Sequence, residues 1–198
     1  MIQLISFIIP LYILMDFIGT IPIFISLTRN TTQKERLKIA ILSSLVAGSI
    51  VLIFALIGNS ILTYFDLSLE AVRVGGGLLL LYIAFEMILA GQSMYKNPKD
   101  IKNIIVSPLA IPMLAGPGSM SFAMISFLNA TGTSKISVLI AIVITVILGA
   151  ITLSLSTYIY KLFGENFTRG LEKITAVIIS FIALEMIMSG IKAYFFIV

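Results

Sequence analysis

The chain contains no cysteine and no histidine. That excludes disulfides, thiolate or imidazole metal sites, and histidine acid–base chemistry. Charge is scarce as well. Only 11% of the 198 residues are Asp, Glu, Lys or Arg, where a soluble domain carries roughly a quarter. Such a chain cannot cover itself in water, so lipid has to do the covering. No nucleotide-binding motif occurs, and the formal charge of +4 marks no nucleic-acid partner, because the bases gather between apolar runs.

What is present is hydrocarbon: 59% of residues are hydrophobic and the mean hydropathy is +1.13. Apolar runs long enough to cross a core of ~30 Å recur along the chain. Six can be drawn, over residues 3–27, 37–64, 70–91, 104–128, 136–162 and 169–196. The first begins without a basic flank or a small-residue cleavage site, so it reads as a retained helix. An even number of spans puts both termini on one side. The first, third and fifth loops hold ten basic residues, Arg29, Lys34, Arg36, Lys38, Lys96, Lys99, Lys102, Lys161, Arg169 and Lys173. The terminal side holds three, Arg73, Lys135 and Lys192. Because basic loops stay in the cytoplasm, both termini are expected outside.

A shift of 99 residues lays Ala84-Phe85-Glu86-Met87-Ile88-Leu89-Ala90-Gly91 on Ala183-Leu184-Glu185-Met186-Ile187-Met188-Ser189-Gly190, with five of eight positions identical. It also sets Gly19-Thr20 against Gly118-Ser119. The chain therefore reads as two halves, 1–99 and 100–198, within one transmembrane domain. Three spans per half is an odd number, so the halves insert with opposite orientation. Inverted repeats of this kind are built around a midplane solute site, which rocking exposes to each side in turn. A duplicated scaffold without a transport role is the plainer alternative.

Two spans carry breakers near their middles. The first holds Asp16-Phe17-Ile18-Gly19-Thr20-Ile21-Pro22, and the fourth holds Pro112-Met113-Leu114-Ala115-Gly116-Pro117-Gly118-Ser119. Proline removes a helical donor and glycine tolerates unusual dihedrals. Each break should create a half-helix N-terminus suited to an anionic group. The expected donors are the amides of Gly118, Ser119 and Met120 in the fourth span, and those near Thr20 and Ile21 in the first. A simple proline kink is the structural alternative.

Acids deep in a membrane cost ~3 kcal/mol or more and should face protein or water. Tyr12, Asp16 and Thr20 are spaced by four and predict one polar stripe running into the break. Glu86 and Glu185 are further candidates for proton coupling, since burial raises a carboxyl pKa. Tyr82 stands one turn before Glu86, while Phe181 takes its place before Glu185. Gly75-Gly76-Gly77 opens the third span and suits close helix contact.

Three runs together resemble the MarC family of prokaryotic integral membrane proteins, related to the LysE-type exporters, along essentially the whole chain. They are Asp16-x-x-Gly19-x-x-Pro22, Arg73-x-Gly75-Gly76 and Ala110-Ile111-Pro112-x-Leu114-Ala115-Gly116-Pro117-Gly118. Phe17 and Thr20 depart from the family pattern, which places proline after the aspartate and asparagine after the glycine. The resemblance implies six spans in two inverted repeats, with helices 1 and 4 broken, in a prokaryotic plasma or inner membrane. It also implies transport of small neutral amino acids. The expected site comprises Asp16, Gly19, Thr20, Pro22, Gly116, Pro117, Gly118 and Ser119, with no cofactor and no metal. The expected partners are a small solute and lipid, and a homo-oligomer is compatible with the pattern. A small-ion channel or exchanger is the competing reading. An intramembrane protease would need an aspartyl dyad, and Asp16 has no second aspartate at its depth.

Overall fold

In lipid, a backbone stretch must satisfy its own N–H and C=O groups, and an apolar segment does so by winding into a helix. The computed structural model of the chain describes residues 2–28, 30–89 and 105–195, and among these there is no strand. In order come α1 (Ile2–Leu14), α2 (Ile21–Leu27), α3 (Gln33–Tyr64) and α4 (Leu69–Leu89). They are followed by α5 (Ile105–Leu114), α6 (Pro117–Asn129), α7 (Thr133–Ser154) and α8 (Ser156–Phe195). Gly91 and the basic loop expected around Lys96, Lys99 and Lys102 lie outside the described residues.

Among the described residues four helices are long and apolar enough to cross a bilayer alone: Gln33–Tyr64, Leu69–Leu89, Thr133–Ser154 and Lys173–Phe195. The first and fourth apolar runs are divided. Residues 15–20 separate α1 from α2, and Ala115-Gly116 separates α5 from α6. The fifth run continues beyond the end of α7. Only Leu155 stands between α7 and α8, and it stays in the hydrogen-bond ladder, donating to the Ile151 carbonyl at 2.9 Å. The turn between the fifth and sixth runs falls at Gly164, within the expected interval 163–168 although inside α8, with φ 76° and ψ 173°. Only glycine takes that conformation without strain.

Capping fixes the start of α3. Thr32 accepts from the Glu35 amide, and the Glu35 carboxylate accepts from the Thr32 amide at 2.8 Å. One turn on, the Arg36 guanidinium donates to the Thr28 carbonyl at 2.9 Å and to the Thr157 hydroxyl at 2.7 Å. That residue ties the end of α2 and the start of α3 to the start of α8.

The helices pack as two crossed pairs. α3 and α7 run antiparallel: Arg36 meets Thr157 at one end, and a Cβ on Gly48 would collide with the Val146 side chain further along. The buried residues Ala40, Ser43, Ala47, Gly48, Val51 and Ala55 each have a buried counterpart 98 positions on, at Val138, Ala141, Thr145, Val146, Gly149 and Leu153. α4 and α8 are antiparallel too. Gly77 lies against the Ala183 carbonyl and Ile187, and Gly190 against the Glu70 carbonyl and Val74. Here the buried pairs are Leu80 with Ile179 and Ala84 with Ala183, each 99 apart. The expected close contact of Gly76 and Gly77 is present, whereas Gly75 meets nothing within 4 Å.

α3 and α7 are the inner pair, with 44% and 39% of their span residues buried against 24% and 22% for α4 and α8. The main core joins α3 and α7 to both divided helices, through Leu11, Met15, Phe17 and Phe24 on one side and Leu109, Leu114, Ala115 and Ala123 on the other. Phe17 is fully buried, and its ring fills the place where a Gly149 side chain would stand. Gly149→Ala should therefore lower the unfolding temperature in detergent, by the equivalent of about 1–3 kcal/mol of overpacking. Adding Phe17→Leu should restore part of the loss. Equal stability of Gly149→Ala and the parent would contradict this packing.

Candidate solute site at two helix breaks

Asp16 makes the first break. Its φ is 42°, in the left-handed region that aspartate tolerates better than most side chains. The chain leaves the α1 ladder there and folds back on itself. The Asp16 carbonyl accepts from the Thr20 amide at 3.0 Å and from the Thr20 hydroxyl at 2.7 Å. The Asp16 carboxylate accepts from the Gly19 amide at 3.1 Å. The Ile21 amide donates to the Ile18 carbonyl at 3.1 Å. Any side chain on Gly19 would collide with the Asp16 carboxylate, which explains glycine at that position. Pro22 falls in the first turn of α2, where its missing N–H costs nothing, so it starts the new helix instead of kinking an old one.

These bonds correct two expectations. The amides near Thr20 and Ile21 are already engaged by Asp16 and Ile18, so the first break offers a carboxylate and not an anion-binding nest. The polar stripe of Tyr12, Asp16 and Thr20 is also cut, because the helix ends at Leu14. The Tyr12 hydroxyl instead bonds the Thr152 hydroxyl of α7 at 2.7 Å, and its ring stacks on Phe17 at 5.5 Å. Thr20 is buried with its hydroxyl turned to its own backbone.

The second break is built differently. α5 is a π-helix, a form sequence reading did not foresee. Pro108 and Pro112 both lack the N–H that an α-ladder needs, and the wider turn closes with the Ala115 amide on the Ala110 carbonyl at 2.8 Å. Gly116 then caps α6 in an extended conformation, φ −82° and ψ 166°, with Pro117 in the first turn. Glycine has no side chain to cap the following amides. Of the three expected donors, Met120 is used, donating to the Gly116 carbonyl at 3.1 Å. Gly118 and Ser119 remain at the positive end of α6 with no side-chain cap. The Ser119 hydroxyl is buried and turned back to the Gly116 carbonyl at 3.0 Å. A side chain on Gly118 would strike Leu80 of α4.

The two breaks thus differ in chemistry. One supplies a half-buried carboxylate, the other uncapped main-chain donors, and residues of both enter the same core. Glu185 is not brought to them; it is exposed on α8, on the side away from its buried face of Ile179, Ala183 and Met186. The Glu86 side chain lies outside the described residues, and Tyr82 of the same helix is 67% exposed. No group of acids that could hold a metal occurs among the described residues.

Long apolar helices around an all-helical core define a multi-pass integral membrane protein. The chain matches the MarC family integral membrane proteins over residues 1–195, and it belongs to that family. It is similar to a UPF0056 membrane protein of Buchnera aphidicola subsp. Baizongia pistaciae, 35% identical over 98% of this chain and 99% of the relative. It is also similar to UPF0056 membrane protein MJ1677 of Methanocaldococcus jannaschii, 34% identical over 88% of both chains. A third relative is the UPF0056 inner membrane protein YhgN of Escherichia coli, 32% identical over 97% of this chain and 98% of that one. The family thus spans bacteria and archaea. No solved structure matches the chain.

Asp16→Asn and Asp16→Ala separate the cap from the charge. Asparagine keeps an acceptor for the Gly19 amide and tolerates the left-handed dihedral, so it should unfold near the parent temperature. Alanine loses the cap and should cost about 1–2 kcal/mol. Thermal unfolding in detergent reads both, and an asparagine variant as unstable as the alanine one would refute the cap.

Proposed function

We propose that this chain is a secondary transporter of small neutral amino acids. It works as six spans in two inverted halves, 1–99 and 100–198, in a prokaryotic plasma or inner membrane with both termini outside. The observation that carries the reading is the pair of unlike breaks. Asp16 takes the ammonium group, and the α6 amides of Gly118 and Ser119 take the carboxylate, with Gly19, Thr20, Pro22, Gly116 and Pro117 shaping the backbone around them. The antiparallel pairs α3 with α7 and α4 with α8 support inversion: Gly48 meets Val146, 98 positions on, and Leu80 with Ile179 and Ala84 with Ala183, each 99 apart, share one core.

Alternating access needs one side closed while the other is open. Arg36 and Lys135 are equivalent under the 99-residue shift, and each folds back on an equivalent residue. Arg36 reaches Thr28 and Lys135 lies over the Phe127 ring at 5.2 Å. Only Arg36 also bonds across to the other half, at Thr157. The loop side is therefore bolted, while a cavity opens on the terminal side between Phe7, Arg73, Ser126 and Ser189. With Glu185 on the outer surface, proton coupling falls to Asp16, a carboxylate that can exchange its proton when its side opens.

Reconstituted in liposomes, the protein should move labelled L-alanine with saturation and competition by L-serine, and a pH gradient should change the rate. Asp16→Asn should lower that flux at least tenfold while the protein still inserts. Flux unchanged in Asp16→Asn removes the aspartate from the site. Single-channel conductance without saturable alanine flux would favour a channel instead.

A further inference from the structure

An open cavity of about 420 Å³ lies where the ends of α4, α6, α7 and α8 meet on the terminal side. That volume is in the range of small-ligand sites. Its polar lining is Arg73, Ser126, Asn129, Thr131, Ser134 and Ser189, and among the described residues no acid lines it. Arg73 is half-buried with its stem against Gly190, and among the described residues its guanidinium makes no ion pair. Glu70, one turn earlier on α4, lines no part of the cavity. Lys135 stands nearby over Phe127, so the local charge is positive.

A guanidinium carries five donors and no acceptor, in a fork that matches a carboxylate or phosphate. Held in a concavity with hydroxyl and carboxamide groups and no carboxylate, it lacks only its anion. We propose that this cavity binds a small oxyanion head gripped by Arg73, with Ser126, Asn129 and Ser189 completing the contacts. The head is the carboxylate of an arriving solute or the phosphate of an anionic lipid. Arg73 would then receive the ligand at the mouth, apart from the breaks. The inference rests on the transport reading only for the identity of the solute.

The full-length protein in nanodiscs of phosphatidylcholine alone should bind labelled propionate at equilibrium, with no competition from propionamide. Arg73→Gln should weaken binding at least tenfold, and Arg73→Lys should recover part of it. Unliganded unfolding temperatures check that each variant is folded. If Arg73→Gln does not fold, Ser126→Ala and Asn129→Ala should each weaken binding severalfold. Should propionate not bind, retention of phosphatidylglycerol that Arg73→Gln abolishes assigns the site to lipid phosphate. Absence of both, or either one indifferent to these substitutions, overturns the proposal. Because propionate binding requires no translocation, it survives a failure to move alanine, and alanine flux without propionate binding leaves transport standing and this site refuted.

Discussion

Main-chain polar groups have no water to turn to inside a bilayer, so every interruption of a helix must be repaired by the protein itself or completed by what it binds. This chain interrupts two helices and repairs them by different means. At the first break the repair is local and tight, because Asp16 supplies its carbonyl to Thr20 and its carboxylate to Gly19. At the second the repair is partial. The π-turn ends on Ala110, and α6 opens from a glycine that can cap nothing. The remaining helices depend on this arrangement, since Phe17 of the first break fills the Gly149 groove and Leu80 fills the space beside Gly118.

Both helix pairs are held together by absent side chains more than by large ones. Gly48, Gly77 and Gly190 each admit a neighbour on the partner helix that a Cβ would exclude. Lipid offers no hydrophobic drive for helix association, so close approach has to supply the attraction through dispersion. The polar ties sit at the ends. Arg36 joins Thr28 and Thr157 on the loop side, while Lys135 on the other side rests on Phe127.

Much of this was legible before any coordinates. The breakers around Gly19 and Gly116 announced their own positions, because proline and glycine act through local backbone geometry. The 99-residue shift aligned Gly19 with Gly118, and both border a break. The π-helix was not legible. Pro108 and Pro112 signal lost donors, but not whether the chain kinks, unwinds or widens, and that depends on what packs around it. The orientation of Glu185 was equally hidden, because an apolar span offers little contrast between a lipid-facing and a protein-facing surface. Hydrophobic periodicity separates those faces only where one of them meets water.

The amino acids alone determined that this is a helical membrane protein, where its long spans run and where two helices break, since hydropathy and proline or glycine chemistry act over a few residues. Tertiary structure alone decided that the Tyr12 hydroxyl meets Thr152, that Arg36 reaches Thr157, and that Arg73 lines a cavity with no acid among the described residues. Those outcomes depend on which groups distant segments bring within about 3 Å of one another, the reach of a hydrogen bond, and spacing along a chain does not carry that distance.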